Sequence, residues 1–79
     1  MNLHPYVEST CEAAWRAYDS ACFWQNAAMH AERFGDIEDA LYRLERARFL
    51  LDRAEQLIRN AHAFQSQIDI HAQSQEAAE

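Results

Sequence analysis

Turn-forming residues are almost missing from this chain. Its 79 residues include one Gly, Gly35, and one Pro, Pro5. A multi-stranded sheet needs many tight turns, and this composition cannot build them. Few, long helices remain, and Ala, Glu, Gln, Arg and Leu, which dominate the chain, all favour them. Lysine is absent altogether: the seven basic residues are all Arg, set against 13 Asp and Glu for a net charge of −6. Phosphate-rich partners demand a basic surface, so neither nucleic acid nor an anionic membrane is expected to bind. An acidic surface keeps a small protein soluble and can meet a basic patch on another protein. Long apolar runs are also lacking. No stretch is apolar enough to span a bilayer, and no basic segment leads into an apolar one as a signal peptide would. Cysteine is scarce. On one helix Cys11 and Cys22 would point the same way but stand roughly 16 Å apart, too far to bridge. Reduced thiols and a cytoplasmic location are the expectation.

What is present organises itself around Asp36–Phe64. This stretch has no Gly or Pro, and its apolar residues recur in steps of three and four, from Ile37, Ala40, Leu41 and Leu44 to Leu57, Ile58 and Ala61. Such steps make one face of an α-helix of about 28 residues, or roughly 42 Å. Asp39 to Arg43 and Glu55 to Arg59 are i,i+4 pairs in the favourable order on its polar side.

Upstream, two helix starts compete. Pro5 suits a first turn, and Ser9-Thr10-Cys11-Glu12 reads as a capping box. A short first turn bending into the main helix would satisfy both. Nothing then breaks a helix as far as Phe34. One stripe runs Val7, Cys11, Ala14, Tyr18, Cys22 and Met29, and the segment Ala21–Ala31 is apolar nearly all round. Gly35 falls where a helix C-terminus wants a left-handed residue, and Asp36 follows as an N-cap. The spacing therefore predicts an αα-hairpin: helix one over about 6–34, helix two over about 36–66, and a frayed, polar tail over 67–79, all in a single domain.

Two helices alone can shelter only one stripe each. Trp24 or Phe23, and parts of Tyr42, Phe49 and Leu50, would stay wet, and burying one large side chain is worth about 1.5–3 kcal/mol. A homodimer, two hairpins packed as a four-helix bundle, resolves the shortage, with Trp24 expected to anchor self-association.

Catalytic and metal chemistry find little support. His4, His30, His62 and His71 give no i,i+3 or i,i+4 ligand pair, no Cys-x-x-Cys or His-Glu-x-x-His occurs, and no Glu has a His three residues on. There is no Gly-rich loop or nucleophile elbow to serve a Cys–His pair. No enzyme activity, metal or cofactor is expected. The aromatic residues are the richest feature. Core and dimer interface account for most of them. The candidate partner-binding or dimer-interface set is Trp15, Arg16, Tyr18, Phe23, Trp24, Tyr42 and Phe49, since Trp, Tyr and Arg are over-represented in binding hot spots.

Two resemblances follow from particular residues. The run Ala31-Glu32-Arg33-Phe34-Gly35-Asp36-Ile37-Glu38-Asp39-Ala40-Leu41, with Ala47, resembles the turn and second helix of a tetratricopeptide repeat. It covers about one repeat, with no second copy, and is read as shared hairpin mechanics. The run Phe23-Trp24-Gln25-Asn26, followed by Ala40-Leu41-Tyr42-Arg43-Leu44-Glu45-Arg46-Ala47 with Leu51 and Ala54, is similar in kind and order to small two-helix phage proteins that disable host proteins, of the anti-quorum-sensing type. That resemblance implies a dimeric hairpin that binds and inhibits a host regulatory or motor protein, in the cytoplasm of the host cell. A structural or assembly adaptor with no inhibitory role is the alternative.

Overall fold

The structure, a computed structural model, describes residues 4–78 and the side chains of residues 4–75. Met1–Leu3, and Glu79 of the tail expected to fray, lie outside the described residues. The described residues form two helices, α1 (Pro5–Arg33) and α2 (Ile37–Ala78), in an all-α hairpin.

Of the two competing starts, Pro5 prevails. His4 is the N-cap: the Tyr6 N–H donates to His4 Nδ1 at 3.0 Å, and the Glu8 N–H donates to the His4 carbonyl at 3.0 Å. Proline's fixed φ pre-forms the first turn and its missing N–H needs no partner there. Ser9 then lies inside the helix, where its hydroxyl donates to the Tyr6 carbonyl at 3.2 Å, so it caps nothing.

The reversal is built as a left-handed cap. Gly35 has φ 78°. The Gly35 N–H donates to the Glu32 carbonyl at 2.9 Å and the Asp36 N–H to the Ala31 carbonyl at 3.1 Å, a Schellman pair that satisfies the last turn of α1. Asp36 at once starts α2: its Oδ1 accepts the Asp39 N–H at 3.1 Å.

Helix α2 does not end near residue 66 but continues to Ala78. Fading hydrophobicity is not a stop signal when no Gly or Pro follows and the residues favour helix. Side-chain bonds one turn apart, Gln65 to Asp69 and Gln75 to His71, reinforce this part. Phe64 meets the rings of His4 and Tyr6 at 4.8 and 4.6 Å, so α2 runs on past the start of α1. At about 1.5 Å per residue α2 alone accounts for the long dimension of 67 Å.

The core differs from the expected stripes. Its buried apolar residues are Val7 and nine alanines: 14, 17, 21, 28 and 31 on α1, and 40, 47, 54 and 61 on α2. Thr10 is buried with them. The α2 alanines recur every seven residues, and on α1 so do Val7, Ala14, Ala21 and Ala28. A seven-residue repeat keeps one narrow seam facing an antiparallel partner. Small side chains at such positions permit a close approach of two helices. Ile37, Leu41, Leu44 and Ile58, expected to face the core, lie beside the seam and are 46–60% exposed. Cys11, Tyr18 and Met29 likewise leave the core to Thr10, Ala17 and Ala21. Steps of three and four do not distinguish the seam from its flank, because both recur every heptad.

Candidate partner-binding surface

The seam divides the hairpin into two long flanks, and the candidate aromatic residues separate between them. Trp15 and Tyr18 project from α1 on the first flank, with ring centroids 6.1 Å apart and edge to face. Opposite them on α2 stand Leu51 and Ile58, which continue the heptad stripe Ile37–Leu44. Between the helices here lies a groove of about 370 Å³, floored by Ala14 and Ala54 and walled by Cys11, Trp15, Tyr18, Leu51, Glu55 and Ile58. Its lining is mostly apolar, yet Trp15 is 67% exposed. Hydrophobic side chains at the edge of an alanine seam end in such a trough because the backbones meet too closely for them to enter.

The second flank carries Phe23, Trp24 and Tyr42. Trp24 stands edge-on to both: its ring lies 6.0 Å from Phe23 and 6.3 Å across the seam from Tyr42. It is half-buried. Trp24 is thus the large member of the seam, placed seven residues after Ala17 and seven before Ala31, and joins α1 to α2 within one chain. That use competes with its expected role as an anchor between chains. Phe23 and Tyr42 are more than 60% exposed. Phe49 lies one heptad along α2 from Tyr42, under the Arg46 guanidinium at 5.6 Å. Arg16 is exposed and makes no hydrogen bond or ion pair among the described residues.

A polar tie fixes the level at which the helices meet. Arg43 takes a seam position, where its guanidinium donates to the Ala27 carbonyl of α1 at 3.0 Å and holds Asp39 at 2.9 Å. The same level places Tyr18 beside Leu51 and Cys11 beside Ile58 in the groove. A polar residue at a seam position commonly specifies register.

Leu44 and Ile58 are exposed and Leu51 is half-buried, where the apolar face of α2 is expected to be core. Spacing alone does not reveal them: Ile37, Leu44, Leu51 and Ile58 repeat every seven residues, three places before the alanines, so the two stripes share one period.

Both cysteines are free, and among the described residues no three His, Cys, Asp or Glu side chains cluster to hold a metal. Among the same residues no helix is long and apolar enough to cross a membrane. No protein-family model matches the chain, and no curated protein or solved structure matches it, which leaves the surface itself as the guide to function.

Proposed function

We propose that this chain is a non-enzymatic protein-binding module: a helical hairpin that pairs with a second copy as a four-helix bundle and presents aromatic residues to another protein. One observation carries the reading. Among the described residues no large side chain is fully buried, while Trp15, Phe23, Tyr42 and Phe49 are all more than half exposed. Each forgoes part of the roughly 1.5–3 kcal/mol that full burial gives. A surface this rich in large apolar groups marks an interaction site in a small protein. The acidic balance favours a partner with a basic rim. Inhibition of a host regulatory or motor protein is the specific form implied by the likeness to phage inhibitors; an assembly adaptor is the second form.

Sedimentation of the purified protein at micromolar concentration should give a dimer. Capture of a lysate protein by wild type, abolished by Phe23→Ser with Tyr42→Ser in a variant that still folds, supports binding. Loss of the captured protein's activity on adding the hairpin marks an inhibitor, and unchanged activity an adaptor. A wild type that stays monomeric, or captures nothing its double variant does not, overturns the reading.

A further inference from the structure

The flank that holds the groove is self-complementary in charge as well as apolar. On α2 the stripe Leu44, Leu51, Ile58 is accompanied by Arg48 and Glu55, set one heptad apart on the same side. Arg48 is exposed and makes no ion pair among the described residues. Glu55 meets only Arg59, at 3.8 Å, with both side chains mostly exposed. Between Leu44 and Ile58 the α2 edge of the flank therefore sets one charge of each sign beside an apolar stripe, neither firmly held within the chain.

We infer that this flank, and not the Phe23–Trp24–Tyr42 side, receives the second copy, with the two hairpins antiparallel about an axis passing Leu51 and Tyr18. The inference rests on the dimeric reading above and says which face it uses and how the copies lie. Two face-to-face arrangements are open to a symmetric pair. With both loops at one end, α1 of each copy covers α2 of the other at the same level. Arg48 would then face the partner's Cys22 and Glu55 the partner's Trp15, so both charges would be desolvated without a counter-ion. With loops at opposite ends, α2 covers α2 and α1 covers α1. Leu51 then meets the partner's Leu51, Leu44 meets the partner's Ile58, and Arg48 meets the partner's Glu55, twice over. On α1 the same axis brings Tyr18 to the partner's Tyr18 and Trp15 to the partner's Cys22. Only the second arrangement pairs Arg48 with Glu55, at the centre of the contact, and charge pairs select register and orientation more than they add affinity.

The area suffices. From Ile37 to Ile58 the stripe is roughly 30 Å long, and two helices side by side are about 20 Å wide. That is on the order of 600 Å² before side chains interdigitate, near the roughly 800 Å² per partner of a standard interface. The opposite flank lacks this fit. Its α2 edge carries Asp39, Arg46 and Arg53, and its largest ring, Trp24, is already engaged by Tyr42.

Two measurements on the full chain test the assignment. In sedimentation equilibrium, Arg48→Glu or Glu55→Arg alone should raise the dimer dissociation constant about tenfold or more, since like charges then face each other. Arg48→Glu with Glu55→Arg should restore it to within about threefold of wild type. In a Cys11→Ser, Cys22→Ser background, Tyr18→Cys should form a disulfide-linked dimer on oxidation and Tyr42→Cys should not. Cross-linking through Tyr42→Cys instead, or charge variants that dimerise like wild type, overturns this assignment while leaving a dimer. A monomeric wild type overturns the dimer itself.

Discussion

Replacing Ala21 by Leu puts the alanine seam to its sharpest test. Ala21 is 0% exposed and lies in the middle of α1. Leu carries three more carbons than Ala, and a hydrophobic-core argument alone would call the change stabilising by more than 1 kcal/mol. The structure predicts the opposite sign. The seam closes on methyl groups of α2, so a larger side chain must separate the two backbones or leave its rotamer. Overpacking of this kind costs about 1–3 kcal/mol. For a domain of this size 1 kcal/mol corresponds to about 4–8 °C in Tm, giving a fall of roughly 5–20 °C. Thermal melts followed by far-UV circular dichroism, at one protein concentration so that association does not shift the midpoint, read this directly. Ala63→Leu, at an exposed position of α2, is the control and should change stability by less than about 0.5 kcal/mol. If Ala21→Leu melts at or above the wild-type temperature, the helices do not meet on an alanine seam.

Three further outcomes follow from single contacts. Gly35→Ala should cost about 1 kcal/mol and Gly35→Val more, by urea titration. A Cβ at Gly35 would meet nothing within 4 Å, so the whole cost comes from its φ of 78°, and Gly35→Asn should recover part of it. Asp36→Ala removes the cap on the Asp39 N–H and should cost about 1 kcal/mol in the same titration, whereas Asp36→Ser should cost little. Arg43→Met should lose about 1 kcal/mol with the Ala27 carbonyl bond, a value kept low because the arginine side chain remains 31% exposed. An unchanged urea midpoint for Arg43→Met would show that the tie does not hold the hairpin.

The hairpin itself was written locally. One Gly between two long stretches without breakers, followed by an Asp, leaves a chain of good helix formers little else to become, and hydrogen bonds within five residues of Gly35 complete the turn. The start of α1 was half legible: Pro5 and Ser9 both carry local signals, and helix formation from Pro5 made the second redundant. The end of α2 was misread because apolar periodicity reports a packing face, while helix continuation needs only propensity and the absence of a breaker.

Which residues became core was a tertiary decision. Alanine and leucine recur with the same period on α2, three places apart, and local energetics cannot say which of the two stripes faces α1. Close antiparallel contact chose the alanines, because two backbones approach best over methyl groups, and tied their level with Arg43 on the Ala27 carbonyl. That choice displaced Leu44, Ile58, Trp15 and Tyr18 to the outside and divided the aromatic residues between two flanks. Composition and spacing alone determined two rods and a turn; the rotation of each rod about its own axis, and with it the surface offered to other molecules, was settled only when they met.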